Sequence, residues 1–545
     1  MTLELSLPPL LTRENPDVEL RPAHVERWLA DLPLLNSADT GQRILAALST
    51  YNRITIEPET RLALMELYRQ PARSIARDLQ RRYLGLPLPL PDKARSVAEA
   101  LRQLHSEFAY GYKHVVLAQR GVDSARLRVD GRRDLALPIQ RAIRYLTEVL
   151  FDSYTAYTAC PAGTWIEIHA LYRHAERLGL TEAAVPDALN STRPTQSVAD
   201  AYKHALLLDF SDPYHLPARL TARCDLYLDR YAGAALLTAL PAQYDPTCQF
   251  LIDMSADRAG VPYAEDAAPA PAAGLRLLNT IDLARQIHAH LTLLQQGRTP
   301  EPDGLPEEFY TDGAGELLRR LIMAWGINPQ RMYRRSARSA AQVDVAVGLD
   351  ACHHWLLGGR GFVRSSNFVG PMPDRGQLTG VAIAVPAAAT PTTDYPFESW
   401  RVEDESAGGM ALTKQGLVHV PVRVGDLVAI RFQGDPEWGI AAVRWARSAN
   451  PSDVEIGTQR LAPSAQPVLI QPEDGVGAED FVAALKLPAL PTLEQPNSLI
   501  VPRGMYRAER VFYVEDGVRL YRVRGTQLVE VTNAFERFQY TEDAA

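Results

Sequence analysis

The apolar residues of this chain change their period once, near Pro329, and no other feature limits the fold as much. Before that point they recur at three- and four-residue spacing. In "LPIQRAIRYLTEVLF", Ile139, Ala142, Ile143, Leu146 and Leu150 would line one face of a helix. "WIEIHALYRHAERLGL" repeats the pattern through Trp165, Ile168, Leu171, Ala175 and Leu178, and Gly179 supplies a stop. Ser197 stands as an N-cap before a further helix, "VADAYKHALLLDF". "AGELLRRLIMAW" is another, with Thr311 and Asp312 as cap candidates and Gly326 and Pro329 ending it. Beyond Pro329 the apolar residues alternate. "QVDVAVGL" places Val343, Val345 and Val347 on one side of a strand, and "LVHVPVRVGDLVAIRF", "WGIAAVRWAR" and "SDVEIGTQRL" carry the β pattern to about residue 461.

Such a chain reads as multidomain α + β, and its 545 residues fit roughly three or four domains. The expected parts are an irregular α-helical region over 1–328, an antiparallel β-barrel over 329–462 and a small β-rich domain over 463–545. The helical region is open to being two subdomains. Its helices at 165–178 and 198–210 faintly resemble a tetratricopeptide-type hairpin, but the connection from Leu180 to Thr195 is too long and no period of about 34 residues recurs. "DAAPAPAAG" and "GRTPEPDGLPEEF" read as linkers. An Ala/Pro/Thr-rich stretch, "VPAAATPTTDYP", lies in a loop insertion over about 350–397. In the tail, "RVFYVEDGVRLYRVRG" predicts a hairpin with a two-residue turn at Asp516-Gly517, and "QLVEVTN" a third strand.

Charge and composition exclude several classes. A net charge of −8 argues against a general polyanion binder, so nucleic acid is not an expected partner. Cys160, Cys224, Cys248 and Cys352 are scattered and form no CxxC pair, which fits reduced thiols. The first residues lack a signal-peptide pattern, and no run approaches the roughly 20 apolar residues that span a bilayer. The expectation is a cytoplasmic protein with no integral membrane segment.

Two motifs carry candidate chemistry. In "RMYRRSARSAAQVDV", Arg331, Arg334, Arg335 and Arg338 concentrate positive charge in an acidic protein. A guanidinium is a flat fork that can grip two phosphate oxygens, or the O6 and N7 edge of a guanine. By itself the cluster also reads as a solvated linker. "WRVEDESAGGMAL" is the second motif. Strict alternation would set Val402, Asp404 and Ser406 on one face and send Glu403 and Glu405 to solvent. Asp404 could accept from the N1–H and N2–H₂ of a guanine, and Ser406 could donate to a phosphate. Gly409, lacking a Cβ, could let a ligand approach the backbone. A tight β-turn explains the same small residues.

The order of these features is informative. An RxxxR (Arg334 to Arg338) precedes a strand, and a DxSxxG (Asp404 to Gly409) opens another. "GIAAVRWARSANPSDVEIGTQRL" then forms a late hairpin in which a strand ending in Val-Arg-Trp turns back. Together they resemble the PilZ domain, which binds the bacterial second messenger cyclic di-GMP, and the resemblance covers roughly 331–461. It implies that Arg334 and Arg338 hold a guanine edge and phosphates, with Arg335 beside them. It assigns Asp404 to the guanine donor edge, Ser406 to a phosphate and Gly409 to the close contact. It implies a receptor without catalytic residues or a resident metal, its arginine segment wrapping the ligand and re-aiming the helical region toward a protein partner. Residues 339–403 separate the two motifs, more than the family pattern has, so a ligand-independent scaffold with a degenerate barrel is the alternative. Arg331 and Arg335 are also spaced as RxxxR, but Arg334 and Arg338 abut the strand.

Other candidates are weaker. Cys352, His353 and His354 stand together near Asp350, but on a strand neighbouring histidines face opposite sides, so no metal site is expected. His288 and His290, two apart on a helix, do not share a ligand either. Glu99-Ala100-Leu101 spells a cyclic di-GMP phosphodiesterase signature inside the amphipathic helix "SVAEALRQLHSEF", without the further acids a two-metal hydrolase needs.

Overall fold

The computed structural model describes residues 3–11, 18–33, 35–190, 193–240, 248–263, 274–299, 305, 307–310, 313–326, 336–337, 341–364, 395–450, 452–474, 481–489 and 496–542. The chain divides into two compact units, Met1–Leu86 with Leu90–Gln330, and Pro87–Pro89 with Arg331–Ala545.

The first unit is mainly helical. Its helices are α1 (Pro22–Ala30), α2 (Ser37–Tyr51), α3 (Pro58–Gln80), α4 (Asp92–Ala118), α5 (Val129–Thr155) and α6 (Thr164–Arg177). A short antiparallel pair, β1 (Val185–Pro186) and β2 (Thr195–Gln196), leads into α7 (Val198–Phe210) and α8 (Ala218–Tyr231). The predicted apolar stripe of α5 is buried, with Ala142, Ile143 and Leu150 fully enclosed, but Gln140, Arg141, Thr147 and Asp152 are buried too, so α5 is enclosed on all sides from Leu135 onward rather than on one face. Ser197 caps α7 in a reciprocal box: its side chain accepts from Asp200 N at 3.1 Å, while Asp200 accepts from Ser197 N at 3.0 Å. Glu99-Ala100-Leu101 lies within α4, with Leu101 fully buried.

This unit also contains an antiparallel sheet the sequence did not announce, in the order β3 (Leu236–Ala239), β6 (Leu275–Asn279), β4 (Gln249–Asp253), β5 (Val261–Pro262). Strands of two to five residues are too short to show a period. Helices α9 (Ile281–Gln295) and α10 (Ala314–Gly326) follow. The cap candidates Thr311 and Asp312, 266–273 of the first predicted linker, and 300–304 and 306 of the second lie outside the described residues, while Glu307–Tyr310 form a 3-10 turn.

The second unit holds two closed six-stranded antiparallel barrels. The first is built from β8 (Gln342–Val347), β9 (Phe397–Ser406), β10 (Gly409–Gln415), β11 (Leu427–Phe432), β12 (Gly439–Asn450) and β13 (Asp453–Ala462), with β7 (Ser336–Ala337) added beside β9. Its order is β10-β13-β12-β11-β8-β9, and β9 pairs back onto β10 to close the ring. Of "LVHVPVRVGDLVAIRF", only Leu427–Phe432 forms a named strand, because the chain turns at Gly425, where φ is +96°. The strand bearing Val443-Arg444-Trp445 does not end there but runs on to Asn450.

The expected insertion does not begin as a loop. Residues Leu349–Leu356 form α11, so Cys352, His353 and His354 lie on a helix rather than a strand. Cys352 is fully buried, which pushes its thiol pKa up, and His353 Nε2 stands 3.2 Å from the Val468 carbonyl. Ala351 and Cys352 join Ala429, Leu485, Ile500 and Phe535 in an apolar cluster that packs the two barrels against one helix. Residues 365–394, with the Ala/Pro/Thr-rich stretch, lie outside the described residues.

The second barrel runs β14 (Gln466–Pro472), β15 (Val482–Leu487), β16 (Ser498–Pro502), β19 (Phe535–Glu542), β18 (Leu520–Val531), β17 (Val511–Glu515). Val468, Leu499, Phe512, Val523 and Phe538 fill it. Two expectations change here. The hairpin loop has four residues, since Glu515 pairs with Leu520 and Asp516 N donates to Arg519 O at 3.2 Å. The Asp516 carboxylate accepts from the backbone of Val518 and Arg519, favouring this longer turn. "QLVEVTN" supplies no separate strand; it extends β18 past an irregularity at Gly525–Gln527.

Candidate functional site on the first barrel

The site grows from the hairpin of β9 and β10. Trp400 and Val402 turn into the barrel and are buried, Val402 pairing with the equally buried Leu412. Strict alternation then fails. The register shifts between Ala411 and Leu412, so the next pair is Asp404 with Ala411 and Glu403 is the extra residue of a bulge. Asp404 is thereby turned to the face opposite Val402. Asp404 and Ser406 still share a face, as expected, but it is the outer one.

Glu405 does not face open solvent. It pairs in register with Met410, its side chain is only 16% exposed, and Arg460 lies 3.3 Å away. Glu403 is exposed and pairs with Arg401. The two-residue turn Ala407-Gly408 is closed by Ser406 pairing with Gly409 and by the Ser406 hydroxyl, which donates to the Gly409 carbonyl at 3.3 Å.

Gly409 is needed for a reason other than ligand clearance. A Cβ there would lie 1.9 Å from the backbone oxygen of Thr458, so the close approach is that of β13. Arg460 N donates to Gly408 O at 2.9 Å on the same edge.

Register carries one row across the outer face. Asp404 stands beside Ala411, Ala411 beside Gly457, and Gly457 beside Trp445. The indole lies over Gly457, where a Cβ would come 1.8 Å from Trp445 Nε1. Asp404 and Trp445 thus belong to one row, in which Ala411 and Gly457 are buried and the indole covers Gly457. Sequence reasoning named neither Ala411 nor Gly457, although a glycine inside "DVEIGTQRL" is the kind of signal that marks close approach in a strand.

The short strand β7 pairs with this hairpin. Ser336 pairs with Glu405 and Ala337 with Asp404, while β8 takes up the same edge from Gln342 opposite Arg401. Arg334, Arg335 and Arg338 themselves lie outside the described residues. Among the described residues no group of three or more His, Cys, Asp or Glu is arranged to hold a metal ion, and no helix is long and apolar enough to cross a membrane.

A closed antiparallel barrel with an acid–serine–glycine hairpin, and a short strand docked against it, has the form of a ligand-binding domain of the PilZ class. Comparison with known families agrees. The model for the middle PilZ domain of Cyclic-di-GMP receptor FimW matches residues 249–371 and 379–467. The model of the FimW N-terminal domain matches 23–243, and that of its C-terminal beta-barrel domain 468–543. A curated relative, the Cyclic-di-GMP receptor FimW of Pseudomonas aeruginosa, is 26% identical over 523 residues, covering 88% of this chain and 84% of the relative. The chain belongs to the PilZ-domain cyclic-di-GMP receptor family.

Proposed function

We propose that this protein is a non-enzymatic receptor that binds cyclic di-GMP on the outer face of the first barrel. The observation that carries the reading is the pairing of β7 with Asp404 and Glu405, which brings the strand next to the arginines onto the acid–serine hairpin. In this reading Arg334 and Arg338 grip phosphates and a guanine edge, with Arg335 assisting. Asp404 accepts from the guanine donor edge and Ser406 donates to a phosphate. Trp445, lying over Gly457, offers a face for stacking.

The functional divisions at 1–328, 329–462 and 463–545, a cytoplasmic location and signalling to a protein partner belong to the same proposal. The ligand would prefer one placement of the arginine segment, and that preference re-orients the helical region by shifting a population. Calorimetric titration of the whole protein with cyclic di-GMP, beside Arg338→Ala and Asp404→Ala, tests it. Binding by the wild type that both variants lose is the expected result. No heat from the wild type at micromolar ligand removes the receptor reading, and equal binding by the variants removes this site.

A further inference from the structure

The helical unit contains a cavity of about 300 Å³, walled by α3, α4, α5, α8, Asp187, Leu189 and Asn190 after β1, and Gln196 of β2. One wall is basic. Arg69, Arg73 and Arg77 recur every four residues along α3 and all line the space. Arg69 is 7% exposed and bonds Glu66 and Asp187, yet its Nε is buried with no acceptor among the described residues. Arg73 donates to the Leu189 carbonyl, but among the described residues neither it nor Arg77 has a carboxylate within ion-pair distance. Burial and the neighbouring Arg77 pull the Arg73 pKa down.

The facing wall is acidic. Glu148, Asp225 and Asp229 share one guanidinium, that of Arg144, at 3.1, 3.9 and 2.7 Å. His204 lies between Asp225 and Asp229, but burial and Arg144 hold its pKa near 3, so it adds no charge at neutral pH. Arg73 therefore feels Asp229 and Glu148 across the cavity without touching either. Opposite charges in a partly dry interior attract strongly, and a fold that keeps them apart leaves both walls undercompensated. Between the walls stands an aromatic surface, Phe108 stacked on Tyr145 at 4.5 Å.

We infer that this cavity is a second ligand site, separate from the barrel, for a small zwitterion. A carboxylate or phosphate at one end would meet Arg73, Arg77 and the free Nε of Arg69. A protonated amine or guanidinium at the other end would meet Asp225 and Asp229, and an apolar body would lie along Phe108 and Tyr145. The two ends fit two walls that no single-signed ligand could satisfy together.

The test is calorimetry of the full-length protein with three probes that share a five-carbon chain: 5-aminopentanoate, pentanoate and pentylamine. The two-ended probe should bind about tenfold more tightly than either one-ended probe, the factor that one extra charge-assisted hydrogen bond supplies. Arg73→Gln and Asp229→Asn should each abolish that advantage. Arg77→Gln serves where a buried substitution impairs folding, because Arg77 is exposed. Cyclic di-GMP binding, measured on the same samples, should not change, which separates this site from the barrel. No heat from 5-aminopentanoate up to millimolar concentration, equal binding of pentanoate, or full binding by Arg77→Gln would each overturn the inference.

Discussion

Trp445 lies across Gly457 so closely that any side chain at position 457 must move the indole or the strand beneath it. Gly457→Ala should therefore cost about 1–3 kcal/mol, the usual penalty for forcing a methyl group into a filled site. Urea unfolding followed by tryptophan fluorescence would show this. An unchanged midpoint would mean that the indole swings away freely.

The same row bears on binding. If a base stacks on Trp445, Trp445→Ala should weaken cyclic di-GMP binding by about tenfold or more, since stacking on an aromatic contributes about 1–3 kcal/mol per base. Calorimetry beside Asp404→Ala separates the roles. Loss of affinity in the Asp404 variant alone would restrict the ligand to the β9 side.

At Gly409 the obstacle is backbone, which cannot rotate away. Gly409→Ala should cost about 3 kcal/mol or more and disrupt pairing of β10 with β13. Its stability, measured without ligand, is the decisive reading. A variant as stable as wild type but unable to bind would restore ligand clearance as the reason for the glycine.

His169 in α6 gives the helical unit an acid sensitivity. Its Nδ1 meets the Tyr202 hydroxyl at 2.7 Å and its Nε2 the Arg258 carbonyl at 2.9 Å, and burial lowers its pKa from 6.5 to about 4. Because the unfolded state takes up the proton first, the stabilisation is complete above pH 6.5. It is lost as pH falls toward 4, by up to about 3 kcal/mol. His169→Gln should flatten the pH dependence of unfolding between pH 6.5 and 4. A slope identical to wild type would place the sensitivity elsewhere.

Much of the architecture was legible where a periodic pattern ran long enough. The stripe on α5 and the cap at Ser197 are local features that tertiary packing did not override. The sheet from Leu236 to Asn279 was not legible, because its strands are too short to express alternation. In the hairpin, the identities of Asp404 and Ser406 were legible but their orientation was not. Alternation assumes an unbroken ladder, and Glu403 breaks it with a bulge that no residue type announces. The reason for Gly409 was misread in a similar way, because the atom that needs the space belongs to Thr458, some fifty residues further along the chain.

The register of β7 has a mechanical consequence. Ala337 stands opposite Asp404 and Gln342 opposite Arg401, and Val402 N donates to Ala341 O at 2.9 Å on the same edge. Among the described residues, β7 meets β9 in a two-residue pairing. A pair of ladder hydrogen bonds contributes roughly 1–3 kcal/mol in net terms, the same order as a typical coupling energy between two binding events. In the proposed receptor, a bound dinucleotide that drew the chain elsewhere would have to outweigh this pairing, a cost of the order that differential affinity supplies.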